Sequence, residues 1–247
     1  MVNSRLKSLG TNTQRLPGIV AHRPPSQILR LDTSAENSTI NRNFQTTHVS
    51  PHRSNERIGL LGGSFDPAHD GHRTLSLAAL KHLGLTKIWW LVSPQNPLKS
   101  RASMGFDERL KYAASVANHA KIEVRSIEAR LGTTQTVATI GRLQQMFAAR
   151  FVFLIGADNL HQLHRWYRWR ALIRACPIAV FARNPYSTTV FGSRAARLLE
   201  RARVPVASAH GLAMMAPPAW TFIPMRPHPA SSTAIRAKGR GKSQSEE

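Results

Sequence analysis

One cysteine, Cys176, occurs in 247 residues. That excludes an internal disulfide and fits a reducing compartment, so a cytoplasmic location is expected. No apolar run approaches the ~20 residues that a membrane-spanning helix needs, and no membrane association is expected. Acids are scarce, with 13 Asp and Glu against 34 Lys and Arg. So few carboxylates leave no cluster able to cage a divalent cation, and no metal site built from protein groups is expected. Neither Gly-x-Gly-x-x-Gly nor Gly-Lys-Ser/Thr occurs in the stretch that matters, so the dinucleotide fingerprint and the P-loop do not apply. No internal repeat is visible.

What is present is a chain of ordinary hydrophobic content, 42%, long enough for one substantial α/β domain with an appendage. Its formal net charge is +21. Residues 1–56 hold seven Lys/Arg against three acids, and residues 236–247 hold four against two. The part between is therefore strongly basic itself, which favours anionic partners of any kind: nucleotides, RNA or acidic membranes. Residues 1–56 are poor in large apolar residues and rich in Ser, Thr, Asn, Arg and Pro, the composition of a disordered extension. Their first 31 residues lack any acid, which equally suits an organelle transit peptide or an upstream start site. A single domain is expected over 57–240, with a flexible tail at 241–247.

The organising stretch is Ile58-Gly-Leu-Leu-Gly-Gly-Ser-Phe-Asp-Pro-Ala-His-Asp-Gly-His72. Ile58 to Leu61 has the length and composition of a buried strand. Gly62 and Gly63 would let the backbone turn sharply and approach a ligand. Asp70 would cap a helix whose apolar face is Leu75, Leu77, Ala78 and Leu83. Strand, glycine turn and helix N-terminus together suit a phosphate. His69 and His72 sit at the mouth of the turn, and on spacing alone they serve equally as capping groups or as ligand donors.

Further strands are expected at 87–92, 122–127, 151–155, 177–181 and 220–223, alternating with helices at 106–120, 133–147 and 194–203. Residues 204–219 read as irregular. The alternation predicts βαβ units and a doubly wound, mostly parallel Rossmann-like α/β sheet, whose ligands lie at the carboxyl ends of the strands. Asn96, in the loop leaving the second strand, and Asp158, in a turn leaving the fourth, fall on that edge. Near the end, Ser231-Ser-Thr-Ala-Ile-Arg236 reads as a helix start with hydroxyls, N–H groups and an arginine one turn in, a second phosphate cradle.

Two of these segments carry a resemblance. Gly-Gly-Ser-Phe-Asp-Pro-Ala-His-Asp-Gly-His is similar to the signature of the nucleotidyltransferase superfamily with the His-x-Gly-His motif. Pro229-Ala-Ser-Ser-Thr-Ala-Ile-Arg236 resembles its second signature, Ile-Ser-Ser-Thr-x-Ile-Arg, with Ala230 in place of isoleucine. Within the superfamily, Ser93-Pro-Gln-Asn-Pro-Leu-Lys99 and Ile155-Gly-Ala-Asp-Asn-Leu…Trp166-Tyr-Arg-Trp169 resemble the bacterial nicotinate-nucleotide adenylyltransferases.

The resemblance implies adenylyl transfer from ATP to nicotinate mononucleotide. Gly62, Gly63, Ser64, Phe65, His69, His72, Ser232, Thr233 and Arg236 would hold ATP, and His69, His72 and Arg236 would act in catalysis. Asn96, Thr136, Asp158 and Trp166 would hold the mononucleotide, with Trp166 stacked on the pyridine ring. The family tyrosine before Thr136 is replaced by Gln135. Read without the resemblance, Asn96 is a turn residue, Thr136 a helix cap and Trp166 a core anchor. Mg²⁺ would be held mainly by the ATP phosphates. Nicotinamide mononucleotide or phosphopantetheine is the alternative acceptor, and RNA binding the alternative from a different class, although no nucleic acid is expected. A homo-oligomer is left open.

Overall fold

The computed structural model describes residues 55–94, 104–182, 185–226 and 229–243, all within the unit His48–Glu247. Seven strands form the sheet: β1 Arg57–Gly63, β2 Lys87–Val92, β3 Ile122–Arg125, β4 Arg150–Gly156, β5 Ile178–Ala182, β6 Arg203–Val204 and β7 Trp220–Pro224. Their order is β3-β2-β1-β4-β5-β7-β6, and every pairing is parallel. The expected mostly parallel sheet is thus parallel throughout. Strand order reverses between β1 and β4, so the loops leaving these neighbours diverge and open a crevice at their carboxyl ends.

The strands are apolar at almost every position because both faces are covered. Successive residues feed two cores. Ile58, Leu60, Trp89, Leu91, Phe151, Phe153, Ile155, Ile178 and Val180 point to one face. Leu61, Ile88, Trp90, Val92, Val152, Leu154, Ala179 and Phe181 point to the other. Helices α1 (Asp70–Leu83) and α2 (Phe106–Ala117), with the 3₁₀ segment Val206–Met214, cover the second face. The first face is covered by α3 (Ile127–Leu131), α4 (Thr136–Met146), α5 (Ala157–Gln162), α6 (Trp169–Ala175) and α7 (Arg194–Leu198). The last helix is α8 (Ser232–Ser243).

Several expected boundaries shift. The third strand stops at Arg125, and α3 begins at Ile127 where strand was expected. The supposed turn after β4 is already helix from Ala157. The basic segment from Arg194 is α-helical only to Leu198, where it tightens into a 3₁₀ turn, Glu200–Ala202. Residues 204–219 are irregular only at Pro205 and 215–219: Val204 joins β6, and Val206–Met214 is a 3₁₀ segment. Among the described residues no helix is long and apolar enough to cross a membrane.

Candidate active site

The sharp bend expected at Gly62-Gly63 is made two residues later. Both glycines still belong to β1, and it is Phe65 that adopts the left-handed region, with φ of 46°. A non-glycine residue there is strained by about 1–3 kcal/mol and needs its surroundings to hold it. The Phe65 ring, 1% exposed, stacks on Trp90 of β2 at 5.1 Å and meets the His72 ring at 4.8 Å. A Cβ at Gly63 would make only ordinary van der Waals contact with that ring, at 3.4 Å, so space does not demand glycine there.

The cap of α1 is also not the residue the sequence suggests. Asp70 is the first helical residue, and His69 is the N-cap. Gly71 N–H donates to His69 Nδ1 at 3.1 Å, and His69 N–H donates to His72 Nδ1 at 3.2 Å. The pair forms a reciprocal capping box built from two imidazoles. Each Nδ1 accepts a backbone proton, so the proton of each neutral ring resides on Nε2. The two rings lie 4.0 Å apart. Capping and ligand donation, which spacing left as alternatives, use different nitrogens of the same rings. Ser76 Oγ donates to the His72 carbonyl at 2.9 Å and accepts from Trp90 Nε1 at 2.8 Å, fastening this turn of α1 to β2.

Helix α8 docks on the same loop. Ser232 Oγ donates to the Pro67 carbonyl at 2.9 Å, and Arg236 Nη1 donates to the Asp66 carbonyl. Arg236 also lies 4.0 Å from the Asp66 carboxylate and 3.4 Å from Thr233 Oγ1. The two signatures, expected to grip one triphosphate from two sides, are therefore in direct contact. Asp66 is buried, and its Oδ1 accepts from Met104 N–H at 3.2 Å.

Of the other expected residues, Asp158 lies at the same edge of the sheet. β1 and β4 are adjacent, with Leu61 opposite Leu154, so Asp158 near the start of α5 lies one strand away from Ser64. Its side chain is exposed. Trp166 is half-buried, with its ring edge-to-face on Phe153 at 6.1 Å; it is anchored to the core on one side and open on the other. Thr136 is the first residue of α4 and not its cap; Gln135 is the cap, and its side chain makes no capping bond. Asn96 lies outside the described residues.

Two buried charged residues at this edge were not foreseen. Arg109 of α2 is 2% exposed. Its Nη1 donates to the carbonyls of Ser64 (2.6 Å) and Ser93 (2.8 Å), Nη2 to Pro94 (2.8 Å), and Nε to Met104 (3.3 Å). Burial lowers its pKa, and the Asp66 carboxylate opposes that shift. The available signal was phase: Arg109 falls on the same helical stripe as Ala113 and Ala117. Glu128 of α3 is the second. Burial pushes its carboxyl above the ordinary carboxylate range, against hydrogen bonds from the Ser93 and Thr139 hydroxyls. It was hidden because it directly follows the expected strand 122–127, where no helix was read.

The chain is similar to known proteins over most of its length. Residues 60–238 match the model of the cytidylyltransferase-like family. A Cereibacter sphaeroides protein named "Probable nicotinate-nucleotide adenylyltransferase" is 48% identical over 184 residues, 74% of this chain and 98% of that relative. A protein of the same name from Ruegeria sp. is 43% identical, covering 74% of this chain and 97% of its own. Among solved structures, nicotinic acid mononucleotide adenylyltransferase of Plasmodium falciparum in complex with NaAD superposes with a TM-score of 0.56 at 18% identity, over 74% of this chain and 83% of that one. At that identity the likeness is one of fold.

Proposed function

The chain belongs to the nicotinate-nucleotide adenylyltransferases, and we infer that it performs their reaction at the edge where β1, β4 and α8 converge. The adenylyl group of ATP passes to nicotinate mononucleotide, giving nicotinate adenine dinucleotide and pyrophosphate, a step in NAD biosynthesis. An oxygen of the mononucleotide phosphate attacks the α-phosphorus of ATP, and the bond from that phosphorus to the bridging oxygen of the β-phosphate breaks.

The attacking phosphate is already anionic at neutral pH, so the site needs no strong base. Its work is alignment and neutralisation of the charge that grows on the transferred group and on departing pyrophosphate. His69 and His72 offer Nε2–H donors on rings whose other nitrogens are fixed by the backbone. Ser64 and the backbone of Gly62 to Phe65 would follow the nucleotide. Ser232, Thr233 and Arg236 would hold the β- and γ-phosphates from the α8 side. Asn96, Thr136, Asp158 and Trp166 would take the mononucleotide, with the open face of Trp166 against the pyridine ring.

The donor set fits a metal carried by substrate. Among the described residues no group of three or more His, Cys, Asp or Glu could hold an ion, and Asp66, the buried acid at the phosphate loop, already serves Met104 and Arg236. Mg²⁺ would ride on phosphate oxygens and water, where it spreads the phosphate charge.

The observation that carries this reading is the contact of α8 with the His69–His72 loop. The test is pyrophosphate release by purified protein from ATP with nicotinate mononucleotide, nicotinamide mononucleotide or phosphopantetheine, each in turn. Fastest turnover with nicotinate mononucleotide is expected. No pyrophosphate with any acceptor, together with tight and steeply salt-dependent RNA binding, would replace this reading with the nucleic-acid one.

A further inference from the structure

We propose that Arg109 is a positioning residue for adenylyl transfer: its guanidinium sets the separation of the loops leaving β1 and β2, and so the alignment of the two nucleotides. This rests on the functional reading above. β1 and β2 run side by side to Gly63 and Val92, and Ser93 N–H still donates to the Gly63 carbonyl at 2.9 Å. One residue further the guanidinium takes over. Nη1 is shared between the carbonyls of Ser64 and Ser93, and Nη2 takes Pro94. Nε reaches Met104, so one planar group also holds both described ends of the connection from Pro94 to Met104.

The chemistry requires arginine. A guanidinium has five N–H donors in a fixed fork, whereas a lysine ammonium presents three from a single point. Four carbonyls on three backbone segments cannot all be reached from that point. The Asp66 carboxylate offsets the buried charge, and the Asp66 carbonyl in turn accepts from Arg236. Arg109 therefore touches no phosphate itself, yet it fixes the backbone of Ser64 on the ATP side and of Ser93 and Pro94 on the side where the mononucleotide would lie.

The test compares the parent with Arg109→Lys by steady-state kinetics with both substrates, and by calorimetric titration with ATP alone for affinity and stoichiometry. Misplacing reacting groups by about 1 Å costs on the order of 100-fold in rate. The expected result is a kcat lower by roughly 30-fold or more, with ATP stoichiometry unchanged and ATP affinity within about threefold. A kcat within about threefold of the parent would overturn the proposal. So would a loss of kcat matched by an equal loss of ATP-competent protein, because that is what a purely structural arginine gives. If Arg109→Lys does not fold, Arg109→Gln takes its place with the same criteria, and failure of both to fold assigns the residue to stability alone. An inactive parent would instead count against the functional reading, leaving the two failures distinguishable.

Discussion

Gly71, one of the two residues between the histidines, offers the sharpest test of the loop proposed to hold phosphate. It does not have a positive φ, so conformational freedom does not explain it. Space does: a Cβ at Gly71 would lie 2.8 Å from His69 Cε1, 2.9 Å from His69 Nδ1 and 3.4 Å from the Ala230 carbonyl oxygen. In Gly71→Ala, either the His69 ring swings away and its capping bond breaks, or the start of α1 shifts against the segment that leads into α8. Loss of an N-cap costs about 0.5–2 kcal/mol, and alanine returns a fraction of its ~1 kcal/mol helical advantage over glycine in the first turn. The net loss is about 1 kcal/mol, a fall in Tm of roughly 2–4 °C for a domain of this size. Turnover should suffer far more, by about 100-fold, because on the proposed function the displaced ring donates to the reacting phosphates. Gly141 provides the control. It lies inside α4, and a Cβ added there would meet nothing within 4 Å, so Gly141→Ala should raise stability by about 0.5–1 kcal/mol and leave kcat unchanged. Thermal melts and pyrophosphate release read both variants. A Gly71→Ala enzyme with parental turnover would refute the argument that the His69 ring needs that space.

Three further outcomes follow from the same geometry. His72→Ala should lower kcat by about 10²–10³-fold, the usual cost of one lost donor to developing charge, while ATP affinity measured by calorimetry stays within a few-fold; equal activity would remove His72 from catalysis. Trp166→Ala should raise the KM for nicotinate mononucleotide by roughly tenfold, in line with ~1–3 kcal/mol per stacked base, and affect the KM for ATP little; equal changes in both would leave Trp166 as a core anchor only. Glu128→Gln should alter the pH dependence of stability. The folded state keeps the Glu128 proton above the ordinary carboxylate pKa, so across that window the native state binds more protons than the unfolded one, and parental stability falls as pH rises. Gln does not titrate, so the variant should gain on the parent in denaturant midpoints from pH 4 to pH 7, and parallel curves would show that burial of Glu128 carries no such penalty.

Much of the architecture was legible because it is encoded at short range. Six short apolar runs, all but the fourth followed by a helical period, were enough for a parallel α/β sheet. Legibility failed where a short element depends on its neighbours. α3, of five residues, is below the length at which periodicity speaks, and the 3₁₀ segment Val206–Met214 is held by packing against the sheet. At the site, residue types and their order were readable, whereas the division of labour was not. Capping by His69 instead of Asp70, and the bend at Phe65 instead of Gly63, depend on rings stacked from β2.

The sequence by itself determined which chemistry could occur: the alternation of strands and helices, two anion-favouring helix starts, and the histidines and arginine beside them. These follow from propensity, period and spacing, which act within a few residues. Only the tertiary structure decided which groups meet. Ser232 reaches Pro67 across 165 positions, and Arg109 gathers carbonyls 45, 16, 15 and 5 positions away. A hydrogen bond of that span has no local signature, because its partner is set by which strands lie side by side and by where their ladder ends.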